Sequence, residues 1–313
     1  MALHIATPLL ASTALSRSAG RPVWLKLEAL QPPGSFKIRG IGLACEHHAQ
    51  AGARRFVSSS GGNAGLAVAY AGRLLHIPVT VVVPATTSER AKDLLRQEGA
   101  EVRVHGASWQ EANALAQSLL GAHDAFLHPF DDPLLWRGHA SMVDEVAAHG
   151  PKPGAVVLSV GGGGLLSGVV EGLQRNGWGD VPVLAVETHG AASLHQSMLT
   201  GQHATLEAIT SIATSLGARQ VCQHAFALGQ HGLVSGLVRS LLVSDREAVA
   251  ACGRFLDDHR ILVEPACGAA LAVAYGHAEA LAAFESVLVI VCGGATATAD
   301  NLRQWSHSLE AQP

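Results

Sequence analysis

The sequence lacks the features of a disulfide scaffold or a structural zinc site. Its five cysteines are odd in number, lie far apart and include no CxxC pair. A disulfide framework or a zinc site needs cysteines at paired, short spacings. We therefore expect a reduced, cytoplasmic protein. The 17 histidines include no HExxH motif, and we expect His47 and His48 in "EHHAQ" to be surface residues rather than a pair of metal ligands.

Charged residues and long apolar runs are also scarce. Charged residues make up 15% of the chain, the net charge is −4 with histidine neutral, and no basic run occurs. We therefore expect no nucleic-acid partner and no membrane partner. No apolar stretch reaches the roughly 20 residues that a membrane-spanning helix needs. No basic segment precedes the first apolar residues, so we expect no signal peptide.

Hydrophobic residues make up 48% of the chain, and they follow a regular plan. Short β-branched runs alternate with longer Ala- and Leu-rich runs, which predicts an α/β protein with mostly parallel sheets flanked by helices. Runs such as "VTVVV" and "VLVIV" do not alternate with polar residues, as is typical of strands buried on both faces. The loops "QPPGS" and "HPFDDP" are candidate domain crossings. They predict a small domain at 36–134, a large domain at 1–35 plus 135–313, and a ligand cleft between them.

Eight strands and seven helices are predicted from these runs. The strands are expected at 23–28, 55–60, 79–85, 100–106, 125–130, 155–161, 181–188 and 286–294. The helices are expected at 63–75, 88–98, 108–121, 136–149, 164–175, 245–258 and 265–283.

The first unusual strand end is "SSSGGNAG" at 58–65. Gly61 and Gly62 allow a tight turn that exposes N–H groups at the start of an Ala-rich helix, which suits an anion such as a carboxylate. Ser60 and Asn63 add side-chain hydrogen-bonding groups. The alternative is that Asn63 only caps the helix after a flexible turn, and the residues alone leave both open.

The second is "SVGGGGLLSG" at 159–168. Four glycines before a helix that begins near Leu165 are typical of a phosphate cradle at the positive end of a helix. The dinucleotide spacing GxGxxG fails because Leu166 or Ser167 stands at the last glycine position, and a Walker lysine is absent. Glu187, at the end of the next strand, stands where a ribose ligand would lie. One phosphate is therefore favoured over a dinucleotide, and tight helix–strand packing is the alternative.

Two further residues have both a structural and a chemical interpretation. Cys292 in "VIVCGG" stands at the C-terminal end of a predicted strand, where open α/β folds bind ligands, although a lone buried cysteine is usually inert. Lys37 in "GSFKIRG" follows a turn-like entry and precedes a helical run. It is either a solvated lysine on a first helical turn or a nucleophile at a domain junction.

Taken together and in order, these motifs resemble a known family. "GSFKIRG", "SSSGGNAG", "GGGGLLSG", "VEPACGAALA" and "VIVCGG" resemble the pyridoxal-phosphate enzymes of fold type II. The likeness is greatest to the serine dehydratases and serine dehydratase-like proteins, which are L-serine/L-threonine ammonia-lyases, and it covers nearly the whole chain. It implies two α/β domains, an active site in the interdomain cleft, pyridoxal 5'-phosphate as cofactor, an amino-acid substrate and a homodimer.

The resemblance also implies a role for each matching residue. Lys37 corresponds to the Schiff-base lysine, Phe36 to the residue that packs on the cofactor ring, and Cys292 to the group that faces the pyridine nitrogen. The phosphate cradle corresponds to Gly161, Gly162, Gly163, Gly164 and Leu165. The substrate-carboxylate loop corresponds to Ser60, Gly61, Gly62, Asn63 and Ala64, and Asn63 also to the residue that bonds the ring hydroxyl. Gly61 departs from the pattern, since the active dehydratases of the family carry Ala there.

A monovalent-cation site, with K⁺ as the expected ion, is implied as well. Its ligands would be Glu187, Ala191, Ser193, Leu216 and Ala218, so that Glu187 becomes a metal ligand rather than a ribose ligand. Within the same fold, a racemase and a β-replacement enzyme remain alternatives. A non-catalytic amino-acid-binding protein and a nicotinamide oxidoreductase are less favoured, because Lys37 is intact and the glycine spacing is broken.

Overall fold

The computed structural model describes residues 2–310, and its framework is two separate β-sheets. The strands are β1 (Leu9–Ala11), β2 (Val23–Lys26), β3 (Arg55–Ser58), β4 (Val79–Val83), β5 (Glu101–Val104), β6 (Asp124–Phe126), β7 (Ala155–Ser159), β8 (Val183–Thr188), β9 (Val238–Val243) and β10 (Val287–Ile290). One sheet has the order β1-β2-β10-β7-β8-β9, and the other has the order β5-β4-β3-β6. Only the β1–β2 pair is antiparallel among the described strands, so the predicted mostly parallel architecture is confirmed.

Helices connect the strands and cover the sheets. They are α1 (Thr13–Ala19), α2 (Lys37–Gln50), α3 (Asn63–Leu75), α4 (Glu89–Gln97), α5 (Trp109–Ser118), α6 (Pro133–His149), α7 (Gly164–Arg175), α8 (Ser193–Thr200), α9 (Gln223–Ser235), α10 (Asp245–His259), α11 (Pro265–Gly276), α12 (Ala278–Leu281) and α13 (Ala299–Glu310). Short 3₁₀ turns lie at Glu28–Leu30, His189–Ala191 and Thr214–Leu216. None of the helices within 2–310 is long and apolar enough to cross a membrane.

All eight predicted strands and all seven predicted helical runs are present, with shifted ends. The run at 265–283 is two helices, α11 and α12, because the chain leaves helical geometry at His277. Strands β1 and β9 were not among the predictions. In β9, "VRSLLV", Arg239 and Ser240 interrupt the apolar run, and the strand lies at an edge of its sheet with a partly exposed centre.

Each sheet has its own hydrophobic core. The core of the six-stranded sheet includes Phe36, and the core of the four-stranded sheet includes Ile38, two residues further along the chain. Lys37 therefore lies where the chain passes from one core to the other. This supports a crossing close to residue 36, and the exact domain bounds at 36–134 stay a prediction.

Buried charges anchor the start of α2. Arg39 is fully buried and forms ion pairs with Glu28, which is also fully buried, and with Glu145 on α6, both at 2.7 Å. Lys26 on β2 pairs with the same Glu145. Removing one partner of such a network would leave an uncompensated buried charge, which costs about 3–5 kcal/mol. The network therefore fixes the helix that begins at Lys37.

Candidate active site

The chain around Lys37 is attached to the C-terminal end of β10. The Phe36 N–H donates to the Cys292 carbonyl at 3.1 Å, and Ser35 forms an isolated β-bridge with Gly293. The first residue of α2 is thus placed beside Cys292, although the two residues are 255 positions apart in the sequence. Two of the predicted site residues, Lys37 and Cys292, are brought together by backbone contacts alone.

Lys37 differs from the other three lysines of the chain. Lys26, Lys92 and Lys152 each form an ion pair with a carboxylate. The Lys37 Nζ instead donates to the carbonyl of Pro129 at 2.6 Å and lies 5.2 Å from the centre of the Phe36 ring. Burial lowers the pKa of Lys37 to about 8. A substantial fraction of this amine is therefore neutral, and so nucleophilic, at mildly alkaline pH.

The four-glycine loop has the geometry of an anion cradle. Gly163 precedes α7 with φ +90°, and no side chain caps the first turn of that helix. A Cβ atom at Gly162 would lie 2.2 Å from the Phe130 ring, and one at Gly163 would lie 2.3 Å from Ala225 Cβ. Only glycine fits this approach, and the uncapped N–H groups at the positive end of α7 suit a phosphate.

Its neighbours connect this loop to Lys37. A Cβ atom at Gly161 would lie 2.9 Å from the Ser215 carbonyl oxygen, and one at Gly164 would lie 2.8 Å from the Phe130 carbonyl oxygen. Phe130 directly follows the residue whose carbonyl holds Lys37. Leu165 is buried in the core of the larger sheet, where it fixes the start of α7. The glycine loop and the lysine therefore lie on two sides of one loop, "HPFDDP".

The second candidate loop joins β3 to α3. The Gly62 N–H donates to Ser60 Oγ at 3.4 Å, and a Cβ atom at Gly65 would lie 1.7 Å from the Ser60 carbonyl oxygen, so the loop is tightly folded. Ala64 is buried in the first turn of α3. A Cβ atom at Gly61 would lie 2.7 Å from Thr87 Cγ2. Alanine at Gly61 would therefore require the Thr87 side chain to rotate.

The sequence left open whether Asn63 only caps the helix, and in the structure Asn63 does not cap it. Gly62 occupies the N-cap position, and no side chain caps α3. The Asn63 Nδ2 donates to Glu264 Oε1 at 2.7 Å, and Asn63 Oδ1 accepts from the Ala295 N–H at 3.1 Å. Glu264 directly precedes α11, which packs in the core of the larger sheet, whereas Ala295 packs against the core of the smaller sheet. The Asn63 side chain therefore spans the gap between the two sheets.

Cys292 stays a neutral thiol. A hydrogen bond with Cys267, together with burial, raises the pKa of Cys292 well above its ordinary value. Cys292 is 7% exposed at the end of β10. The group that faces this end of the sheet is thus an uncharged one, which fits the role that the resemblance implies for it.

The predicted cation site contains a buried carboxylate without a cationic partner. Glu187 is fully buried, and its two carboxylate oxygens accept from the Leu194 and His195 N–H groups at 2.9 and 2.7 Å. Burial raises the pKa of Glu187 to about 8. The hydroxyl of Ser193, at the start of the same helix, is buried and has no hydrogen-bond partner. Such an uncompensated oxygen cluster fits a cation.

The remaining predicted ligands lie in adjacent turns. Ala191 is buried in the 3₁₀ turn that precedes α8, and Leu216 and Ala218 lie in the next loop along the chain. The Thr210 N–H donates to the Gly190 carbonyl at 3.0 Å and so ties that loop to the first turn. No cluster of three or more His, Cys, Asp or Glu side chains within 2–310 could hold a metal ion. A cation here would depend on carbonyl and hydroxyl oxygens as well as Glu187.

Three contact residues were missed from the sequence: Pro129, Phe130 and Glu264. Pro129 and Phe130 stand in "HPFDDP", which was predicted only as a crossing, and nothing in the motif indicates that its carbonyl meets Lys37. Glu264 is the one charged residue of "VEPACGAALA". An acid at the start of a wholly apolar helix was a usable signal, because a buried carboxylate needs partners.

Comparisons with known proteins identify the family of this chain. The model of the family described as "Pyridoxal-phosphate dependent enzyme" matches residues 2–293. The human protein named L-serine dehydratase/L-threonine deaminase is 48% identical, over 98% of this chain and 96% of the human one. The human protein named serine dehydratase-like is 51% identical, over 93% of this chain and 90% of its own length.

A solved structure is similar over the same extent. The crystal structure of a fungal L-serine ammonia-lyase from Rhizomucor miehei superposes with a TM-score of 0.92 at 36% identity, covering 98% of this chain and 99% of the fungal one. The chain belongs to the family of pyridoxal-phosphate dependent enzymes. The fold is that of this class, and the uncapped glycine loop before α7 would fit the phosphate of the cofactor.

Proposed function

We propose that this chain is an L-serine/L-threonine dehydratase. It would convert L-serine to pyruvate and ammonia, and L-threonine to 2-oxobutanoate and ammonia. A human relative at 48% identity is named L-serine dehydratase/L-threonine deaminase, another at 51% is named serine dehydratase-like, and both match nearly the whole chain. The observation that carries the proposal is the convergence of Lys37, the glycine loop and Cys292 on the loop and strand end described above.

Each part of the site has a task in this reaction. When bound, the cofactor withdraws the electron pair left at the substrate Cα. Lys37 is the base that takes the Cα proton, since burial leaves much of its amine neutral near pH 8. The backbone N–H groups of the loop from Ser60 to Ala64, at the start of α3, would hold the substrate carboxylate.

The neutral thiol of Cys292 favours elimination over transamination. If Cys292 faces the ring nitrogen of the bound cofactor, its thiol would not hold a proton on that nitrogen, so the electron sink would be weaker than it would be beside an aspartate. Loss of the β-hydroxyl relieves the negative charge at Cα directly, so elimination tolerates a weak sink. Transamination instead requires that the negative charge at Cα persists.

Other parts of the proposal go beyond the site itself. We infer that Glu187, Ala191, Ser193, Leu216 and Ala218 bind a monovalent cation, with K⁺ expected because a large ion accepts mixed oxygen ligands more readily than Mg²⁺ does. The buried Glu187 and the unpartnered Ser193 hydroxyl support this. A homodimer, a cytoplasmic location and the domain bounds at 36–134 remain predictions.

The test is a product assay with purified protein and added pyridoxal phosphate. L-serine is expected to yield pyruvate and ammonia in equal amounts, and L-threonine 2-oxobutanoate and ammonia. Lys37→Ala is the inactive control. Conversion of L-serine to D-serine without keto acid would instead indicate a racemase, and no change in either amino acid would refute the proposal.

A further inference from the structure

Glu264 lies in the site but has no role in the reaction described above. It is 7% exposed and stands directly before Pro265, the first residue of α11. Its N–H donates to the Gly293 carbonyl at 3.4 Å, and its carbonyl accepts from Cys267 and Gly268 at 2.9 and 3.0 Å. The backbone of Glu264 is therefore fixed on both sides.

The side chain of Glu264 is held as firmly as its backbone. A Cβ atom at Gly294 would lie 2.6 Å from Glu264 Cβ, so the strand end packs closely against this side chain. The carboxylate accepts from Asn63 Nδ2 at 2.7 Å, and the Ser215 hydroxyl is a second donor to it. Glu264 thus reaches from the larger sheet to the first residue of α3.

The orientation of the Asn63 amide follows from its two neighbours. The backbone N–H of Ala295 can only donate, so it must face the amide oxygen. The Glu264 carboxylate when ionised can only accept, so it must face the amide nitrogen. Nδ2 carries two N–H bonds, and Glu264 takes one of them. A bound molecule that meets the Asn63 Nδ2 therefore finds one free N–H donor there.

We propose that Glu264 is a positioning residue that fixes the Asn63 amide, so that Asn63 offers the site a single N–H donor across the gap between the two sheets. An oxygen that meets the Asn63 Nδ2 must then be an acceptor, such as an ionised ring hydroxyl of the cofactor or a substrate carboxylate. The inference rests on the proposed function in that it places pyridoxal phosphate in this site.

The charges around Glu264 are consistent with this role. Burial raises the pKa of Glu264 to about 7, while the hydrogen bonds from Ser215 and Asn63 and the charge of Lys37 oppose that rise. The other titratable groups that face it are the thiols of Cys252 on α10 and Cys292 after β10. Above about pH 7 Glu264 is thus predominantly a carboxylate, which is the form that fixes the amide.

The test is a double-mutant cycle read from the dissociation constant of pyridoxal phosphate at pH 8. Asn63→Ala removes a donor to an anionic oxygen and is expected to weaken binding about tenfold. Glu264→Leu is expected to weaken it by a similar factor, because the amide nitrogen then loses its anchor and only the Ala295 N–H holds the amide. In the Asn63→Ala background, Glu264→Leu is expected to change the dissociation constant by less than about twofold. If the two substitutions weaken cofactor binding independently, so that their factors multiply in the double variant, the proposal is overturned.

Controls separate positioning from general stability. Glu187→Gln alters another buried glutamate that does not touch Asn63, so its effect is expected to multiply with that of Asn63→Ala. The midpoints of thermal unfolding of the apoproteins report stability separately. A Glu264→Leu variant with a lower midpoint but unchanged affinity would show a structural role only and would contradict the proposal.

Glu264→Gln covers the case in which the leucine variant does not fold. It keeps the shape and one acceptor oxygen, so binding within about threefold of the wild type is expected, and this small effect should vanish in the Asn63→Ala background. A loss above tenfold that persists without Asn63 would refute the proposal. Because the cycle uses cofactor binding, a wild type that binds the cofactor but leaves L-serine unchanged refutes the proposed function and not the role of Glu264.

Discussion

At the scale of single residues, the proposed role of Cys292 is to set how strongly the site withdraws electrons. Its thiol is buried and neutral. Cys292→Ser keeps a neutral partner, so we expect elimination to be largely retained. Cys292→Asp would place a carboxylate at the ring nitrogen and hold a proton there, so we expect pyridoxamine phosphate to accumulate through side transamination.

Absorption spectra taken during turnover measure both outcomes. The pyridoxamine form is expected to build up in Cys292→Asp and not in Cys292→Ser, while keto-acid release is followed in parallel. Cys292 would be ordinary core packing if both variants behaved as the wild type does.

The site residues that the sequence indicated stand in motifs richer in glycine and serine than an ordinary turn or helix cap requires. Lys37 and Gly161–Gly164 stand at or just before the start of a helix, and Cys292 follows a strand. Glycine or serine residues stand within three positions of each in the chain. Glu264 stands in "VEPACGAALA", but its partner Asn63 is 201 positions away in the chain. The spacing of residues within a motif does not predict a hydrogen bond between distant parts of the chain, so only the structure shows this contact.

At the scale of elements, the turn before α7 is the proposed phosphate cradle. Gly163→Ala would put a methyl group 2.3 Å from Ala225 Cβ at φ +90°. We expect the loop to shift and the dissociation constant of pyridoxal phosphate to rise at least tenfold. Titration of the apoprotein with cofactor measures this change.

The matched control is Gly177→Ala, at the other end of the same helix. Gly177 has φ +72°, and a Cβ atom there would have no neighbour within 4 Å. The substitution should cost about 1–2 kcal/mol of stability through the left-handed backbone alone, with unchanged cofactor affinity. Equal losses of affinity in the two variants would show that the loop is a packing turn rather than a cradle.

The sequence predicts a helix or a strand best where its apolar residues form a clear pattern. The buried strands β4 and β10 and the helices α3 and α7 follow from continuous apolar runs and glycine boundaries. Strands β1 and β9 were missed because β1 has only three residues, and because Arg239 and Ser240 interrupt the apolar run of β9. The pairing order of the sheets is likewise set by long-range contacts.

At the scale of the whole molecule, the proposed cation should stabilise the fold in a pH-dependent way. Burial raises the pKa of Glu187 from 4.5 to about 8. Between these values the folded chain keeps a proton that the unfolded chain has released, so stability without the cation falls as the pH rises. A bound cation competes with that proton, so its stabilising effect should grow over the same range.

The measurement is the midpoint of thermal unfolding in K⁺ and in Na⁺ at equal ionic strength. K⁺ is expected to raise the midpoint more at pH 8.5 than at pH 6.5. At ten times its dissociation constant, the ion would add about 1.4 kcal/mol. Glu187→Gln should reduce this difference and also the response of activity to K⁺. Identical midpoints and activities in both salts, for both proteins, would exclude the cation.

The chain passes from the core of one sheet to the core of the other at Lys37, and this crossing places the lysine in the proposed active site. Phe36 packs in one core and Ile38 in the other, with Lys37 between them. The sequence predicted two sheets and a crossing near this point. It did not show the buried Arg39, Glu28 and Glu145 network that fixes the crossing, because these residues lie apart in the chain and meet only in the fold.

The most direct test of this claim is chemical labelling. The purified protein is incubated with pyridoxal phosphate, reduced with borohydride, digested and analysed by mass spectrometry to locate the phosphopyridoxyl group. We predict the label on Lys37, with loss of both the label and the visible absorption band in Lys37→Ala. The chain has only three other lysines, Lys26, Lys92 and Lys152, and each forms an ion pair with a carboxylate. A label on any of these, or no label at all, would contradict the assignment of the active site.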